Sequence, residues 1–473
     1  MSLTLRTLDG GEVQVAPEVL QAFKAGFRGP VLTPDAADFD ATRAVWNAMI
    51  DRRPGLILRC TGTADVLHAV RFARQHKFEL SVRGGGHNIA GLALADGALL
   101  IDLSLMRGVS VDAKARTARA QGGCTLADVD RETQVHGLAT VLGFVSATGI
   151  GGLTVGGGFG YLTRRFGYTC DNLAAMEVVG ADGALRRAAA DENADLFWAL
   201  RGGGGNFGIV SSFEYRLHPV GPDILGGAVV WRAEDAAQVL DFYRRFTATA
   251  PRETTCVAVL RIAPPAPWLP PAIHGQPIIA IFVCHSGGID EGEKVLAPLR
   301  AFGTPVADIV TRRPYAQMQS LLDATQPKGR RYYWKSNYLA ELQPQAIRLA
   351  IEHAARMPSP QSSVIFFHLQ GALNELPADH CPAGNRDTAY VLNIGSAWEK
   401  AADDAANQRW ARECFAAMAP YSTGGAYVNF LSEDEGSDRI EAAYGRANLQ
   451  RLAALKHEYD PENLFRHTKS VLG

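Results

Sequence analysis

Glycine constrains this chain more than any other feature. The sequence has 48 glycines, and they bunch at residues 84–86, at 149–152 together with 156–160, and at 202–208. A residue without a Cβ lets the backbone turn tightly or lie directly against a ligand. One such run reads as a tight turn. Three clusters inside one region point to a large ligand, because backbone amides freed by glycine can cradle phosphate oxygens without a lysine. The last run, GGGGNFG, satisfies G-x-G-x-x-G through Gly203, Gly205 and Gly208. A dinucleotide fingerprint must follow a strand and open a helix. Here DLFWALR before it has helical spacing and IVSSFEYRL after it alternates as a strand. The order is reversed, so the run is not a Rossmann motif.

A chain of 473 residues with 47% hydrophobic and 20% charged residues is expected to form two or three globular domains. The net charge of -2 gives no electrostatic footprint for nucleic acid or an anionic membrane. Seven scattered cysteines with no C-x-x-C pair argue against a disulfide framework and against a zinc site, so no metal is expected. The amino end lacks the basic start and apolar core of a secretory signal, and the longest apolar runs are strand-length. A cytoplasmic location follows as an expectation.

Between residues 50 and 220, short strand patterns (LILRC, ELSVR, ALLIDLS, GVSVD, TARAQGG) mix with the helical DVLHAVRFARQH and TLADVDRETQVHGL, the latter opening on a Thr/Asp cap. The texture changes near residue 221. Longer strand patterns, among them TTCVAVLRI, PIIAIFVC, RYYWKSNYLAEL, SSVIFFHLQGAL and TAYVLNIGSAW, accompany three helical segments. The expected class is α+β, with a large antiparallel sheet carrying helices on one face in the second unit. One further helix, RIEAAYGRANLQRLAALKHEY, precedes the stop signal DPENLF.

His87 follows the first glycine run directly, in SVRGGGHNIAG. A lone loop histidine is most often structural or solvated. Zinc would need partners at short spacing, which His68 and His76 do not supply. An imidazole can also act as a nucleophile toward an electrophilic cofactor.

The segments VRGGGHNIAG, ATGIGGLTVGGGFGYLTRRFGYTCDNL and DLFWALRGGGGNFGIVSSFEYRL resemble the FAD-binding domain of the vanillyl-alcohol oxidase/p-cresol methylhydroxylase superfamily. The closing YVNF and AAYGRANLQRLAALKHEYDPENLF resemble the last segment of its berberine-bridge-enzyme-like oxidases, a group with nicotine-oxidase and oligosaccharide-oxidase branches. The resemblance covers about residues 50–220 and 425–473. It implies an FAD-binding domain over 1–220 (core 50–220), a substrate domain over 221–424, and a segment 425–473 that returns to the first. It implies that His87 is bonded to the 8α-methyl of the flavin. Arg83, Gly84, Gly85, Gly86, Asn88 and Gly91 would run beside the pyrophosphate and flavin. Ala147, Thr148, Gly149, Gly152, Leu153 and Gly157 would follow the ribityl and ring, with Gly208, Ile209 and Val210 near the adenosine. The implied activity is hydride transfer from an alcohol, hemiacetal or amine to flavin N5, followed by reduction of O2 to H2O2. A dehydrogenase slow toward O2 and a catalytically silent flavin carrier are the alternatives.

Three departures from the family pattern stand out. Many relatives carry a second flavin link from a cysteine, but Val145 occupies that position, so a single bond is expected. The closing motif of sugar-oxidising relatives, Y-x-N-Y, ends in a tyrosine that serves as base. Here Tyr427 and Asn429 are kept but the last residue is Phe430, which cannot take a proton. The final FRHTKSV places Thr468 where asparagine is usual. Tyr427, Asn429, His368 and Gln370 are the substrate-side candidates, His368 and Gln370 as alternate residues on one strand face. Tyr332, Trp334, Lys335, Asn393 and Trp398 stand behind them.

Overall fold

The computed structural model describes residues 3–472. In its amino-terminal part, strands Leu56–Arg59 and Leu80–Arg83 both run parallel to Leu99–Asp102, with Val31–Leu32 added antiparallel at the edge. Parallel neighbours need a crossover. Helix Thr63–Gln75 supplies one, burying Val66, Ala69, Val70 and Ala73 on its inner face as the spacing predicts. A second, antiparallel sheet follows in the order Leu185–Ala189, Leu173–Val179, Ile209–Arg216, Thr117–Gln121, Val109–Asp112. Helix Leu126–Gln134 opens on the expected cap: the Thr125 hydroxyl accepts from the Asp128 amide, and the Asp128 carboxylate accepts from the Thr125 amide.

The middle of the chain forms an eight-stranded antiparallel sheet. Its central order is Asp223–Arg232, Pro277–His285, Thr254–Ile262, Ser363–His368, Tyr390–Trp398, Arg331–Leu339. Helices Ala236–Thr249, Ile289–Arg300, Pro344–Ala354 and Asp404–Met418 cover one face, where Trp231, Val364, Phe366, Leu392 and Ile394 share a core with them. The other face turns toward the amino-terminal part, and one apolar cluster runs through both, from Phe144, Phe159 and Tyr161 to Val257, Phe282 and Phe367. With both faces covered, strand Tyr390–Trp398 is buried at every position.

The closing segment differs from its sequence pattern at one point. Two helices, Ser437–Tyr444 and Arg446–Tyr459, replace the expected single one, and they part at Gly445, whose φ of 74° lies outside any right-handed helix. The second helix docks on the amino-terminal part. Buried Lys456 donates from Nζ to the carbonyls of Asn206 (2.8 Å) and Phe465 (3.0 Å) and pairs with Asp460 at 2.6 Å. Leu464 and Phe465 enter the core beneath helix Thr63–Gln75. The 149–152 run is also more ordered than a loop, since Gly149 caps helix Ile150–Val155.

Candidate active site

A cavity of about 350 Å³ lies between the glycine runs and the open face of the large sheet. All three runs reach its wall: Gly84, Gly85 and Gly86, then Gly149 and Gly152, then Gly208. The first two touch backbone to backbone. A Cβ on Gly85 would sit 2.5 Å from the Gly149 Cα, so only glycine permits this approach. A Cβ on Gly152 would meet no protein atom within 4 Å, because that Cα faces the cavity.

His87 faces the same space, and its ring is fixed from behind. It stacks on Trp46 (centroids 4.7 Å, 16° between planes), and Trp46 stacks on Tyr332 on its other side (3.8 Å, 12°). Trp46 donates from its indole to the Gln326 carbonyl at 3.0 Å, and its backbone amide to that of Gly86 at 3.1 Å. Asn47 binds the carbonyls of Ile89 (3.2 Å) and Tyr332 (2.9 Å). Residues 46–47 thus tie the histidine loop to strand Arg331–Leu339. Burial pushes the His87 imidazole down to about 4, so it is neutral at physiological pH.

The substrate-side candidates divide. Tyr427, Asn429, Trp334 and Asn393 line the cavity, as does Phe430, which packs against Trp334 at 5.1 Å. Asn429 donates from Nδ2 to the Tyr427 hydroxyl at 3.0 Å and the Leu153 carbonyl at 3.2 Å. Burial holds the Tyr427 phenol far above its ordinary value, so it stays protonated. His368 and Gln370 lie elsewhere. The residues of strand Ser363–His368 that face the cavity are Ser363, Ile365 and Phe367, so His368 points to the helix-covered side and stacks on Tyr390. The strand ends at His368, and the loop carbonyl of Gln370 accepts from Arg164. Gln370 therefore lies beyond the strand rather than on a face shared with His368, and the inward face of the strand is the one without His368. Lys335 pairs with Asp434 and Glu435, and Trp398 donates to Asp404, both away from the cavity.

Among the expected cofactor residues, Asn88, Thr148, Leu153, Ile209 and Val210 also line the wall. Arg83 does not. Its guanidinium forms a buried two-point pair with Asp102 (3.0 and 2.7 Å), anchoring the strand end before Gly84. Gly91 turns against Ile50, and Gly157 faces Ala383. Ala147 leaves the wall where Ser146 is held by Asp323. Sequence reading missed Trp46 and Arg261, which line the cavity from segments without a motif, and His467 and Lys469, which flank Thr468 in the closing FRHTKSV. Lys469 donates to the Ser432 carbonyl at 2.7 Å, and burial brings its amine down to about 8.

The residues present fit a large cofactor with a polar and an aromatic part. The wall supplies glycine backbone at one side and aromatic rings at the other. Ser81 Oγ and Asn393 Nδ2 are buried at this wall with no partner among the described residues. Val145 is at the wall, while Cys124 and Cys170 are not.

Glycine backbone along one wall, opposite the large sheet, suits a phosphate-bearing cofactor. Residues 54–189 match the family described as "FAD binding domain", and residues 426–472 match "Berberine and berberine like". The (R)-6-hydroxynicotine oxidase of Paenarthrobacter nicotinovorans is 31% identical over 452 residues, covering 94% of this chain and 96% of that protein. A FAD-linked oxidoreductase of Dictyostelium discoideum is 28% identical over 461 residues, covering 96% and 97%. The crystal structure of 6-hydroxy-D-nicotine oxidase from Arthrobacter nicotinovorans superposes with a TM-score of 0.82 at 29% identity, covering 94% of this chain and 98% of that one. Berberine bridge enzyme from Eschscholzia californica shares the fold, with a TM-score of 0.85 at 20% identity over 96% and 98% of the two chains. The chain belongs to the berberine-bridge-enzyme-like FAD-linked oxidoreductases.

Proposed function

We propose that the protein is an oxidase whose FAD is tethered by one bond, to His87. Residues 1–220 and 425–473 hold the cofactor, and residues 221–424 hold a small-molecule substrate. FAD bound here supplies the two-electron acceptor: a hydride leaves a substrate C–H for the flavin, a proton leaves the adjoining O–H or N–H, and O2 takes two electrons and two protons to become H2O2. The observation that carries the reading is His87, a neutral imidazole held by Trp46 at the glycine-lined wall. A neutral ring nitrogen has the lone pair that a nucleophile needs. Val145 at the wall offers no thiol for a second bond.

The substrate end favours a neutral amine over an alcohol or hemiacetal. Phe430 has no proton acceptor, the Tyr427 phenol is held in its protonated form, no Asp or Glu lines the cavity among the described residues, and the basic side chains His467 and Lys469 at its wall are engaged with Glu79 and the Ser432 carbonyl. A neutral amine can give up hydride without a strong base, whereas a hydroxyl must first lose a proton. Tyr427 and Asn429 then act as an orienting pair. Seven free, buried thiols suit the reducing cytoplasm, and no described helix is long and apolar enough to cross a membrane.

Acid precipitation followed by a denaturing gel tests the tether. The wild-type band should fluoresce yellow-green, and the His87→Ala band should be dark while the native variant still binds FAD reversibly. A colourless wild-type band refutes the covalent bond. Peroxide release on adding an oxidisable amine separates an oxidase from a dehydrogenase.

A further inference from the structure

One side chain on the sheet wall of the cavity has no counterpart in the protein. Arg261, near the end of strand Thr254–Ile262, lines the cavity. Its one hydrogen bond among the described residues runs from Nε to the Ile262 carbonyl at 3.1 Å, leaving both terminal nitrogens free. No carboxylate offsets its charge. Arg330 is the charge that acts on it, and Arg330 is itself paired with Glu399 at 2.9 Å. Arg261 is half-buried, and the fully buried guanidiniums among the described residues are all answered. Arg83 has Asp102, Arg386 has Asp171, and Arg164 has four carbonyls. A partly desolvated cation without a counter-ion is unfavourable unless something pairs with it.

The neighbours are also donors. Register places Ser363 opposite Arg261 and Asn393 opposite Ile365, and both line the cavity. Asn393 Nδ2 is buried and unpartnered. On the rows beside Arg261, Val257, Val259, Ile365 and Phe367 make the wall apolar. The row containing Arg261 continues through Ser363 and Gly395 to Trp334, three strands away, or about 14 Å between backbones. Trp334 is the end of that row beside Phe430 and Trp46, and Trp46 in turn stacks on His87.

We propose that Arg261, with Asn393 and Ser363, is an anion subsite, and that the substrate is an organic acid with an apolar body. Its carboxylate pairs with the guanidinium while its oxidisable C–H lies at the Trp334 and Tyr427 end. Two parallel N–H···O bonds from one guanidinium match a carboxylate in geometry as well as charge. The inference rests on the reading of this cavity as the substrate pocket of a flavin oxidase, and it narrows the substrate to amines or alcohols that also bear an acid group.

Calorimetric titration of the holoprotein with benzoate, cinnamate and indole-3-acetate, and with the carboxamide of each, tests it without turnover. The acids should bind at least about tenfold tighter than their amides. Arg261→Met should abolish that preference with amide affinity within about twofold of wild type, and Arg261→Lys should keep part of it. Nitrate should compete with the acids and not with the amides in the wild-type protein, a measurement that needs no variant. Equal affinity for acids and amides, a preference that survives in Arg261→Met, or no acid binding at millimolar concentration overturns the subsite. The fluorescent-gel result stands or falls separately, because it reads the tether and not the ligand.

Discussion

His87 and Asp130 show how one physical cause, burial, serves opposite ends. At His87, desolvation keeps the ring neutral beside the cavity, which is the form a tether needs. At Asp130, on helix Leu126–Gln134, it leaves both carboxyl oxygens without a hydrogen-bond partner and lifts the acid to about 8. That second shift is a liability. In the unfolded chain this carboxyl ionises above about 4, while in the fold it stays protonated until about 8. The unfolded state therefore loses its proton first, and stability declines as pH rises through that window. Asp130→Asn keeps the shape and removes the titration. It should raise the melting temperature at pH 7, by an amount on the order of 2 kcal/mol in stability, and flatten the slope of melting temperature between pH 5 and 8. Wild type and variant melting in parallel over that range would show that Asp130 finds a partner in solution.

Where two elements meet, the glycines separate into those that serve the fold and those that serve the ligand. Gly85 follows strand Leu80–Arg83 and touches Gly149 at the start of helix Ile150–Val155, with no space for a methyl group. Gly152, one turn into that helix, has open space before it. Gly85→Ala should therefore part the two elements and cost about 1–3 kcal/mol of stability, seen as a lower melting temperature of the cofactor-free protein. Gly152→Ala should leave that temperature unchanged and lower the flavin content on reconstitution, since its methyl enters the cofactor's space. Equal behaviour of the two variants would remove the distinction. The glycine runs, the cap at Thr125 and the periods of helix Thr63–Gln75 were legible in the sequence because each is a local rule. The inward face of strand Ser363–His368 was not, because a period of two does not say which side the cavity is on, and His368 fell on the wrong one. Trp46 and Arg261 left no local signal. Their roles come from partners far along the chain, Tyr332 for one and the absence of any acid for the other.

Over the whole molecule, the cavity exists only while three pieces of chain stay docked, and one side chain does much of the docking. Arg164, in the amino-terminal part, reaches into the middle part and donates to the carbonyls of Ala250 (2.9 Å), Pro251 (2.7 Å), Thr254 and Gln370 (2.7 Å). Its side chain is buried, so these bonds answer donors that water does not reach freely. Asp171 and Arg386 add a second buried tie between the same parts at 2.7 Å, and the apolar cluster from Phe144 to Phe367 runs beside both. Such a continuous core predicts that both parts unfold together. Arg164→Met would leave four carbonyls, that of Thr254 buried and the others part-buried, without their shared donor, a loss on the order of 3 kcal/mol located at the junction and not inside either part. Calorimetry should then resolve the single wild-type transition into two. Flavin fluorescence should appear with the earlier one, because the Trp46 stack that holds His87 is braced from strand Arg331–Leu339 across the same junction. A variant that still melts in one step at the wild-type temperature would place the cohesion in the apolar cluster alone.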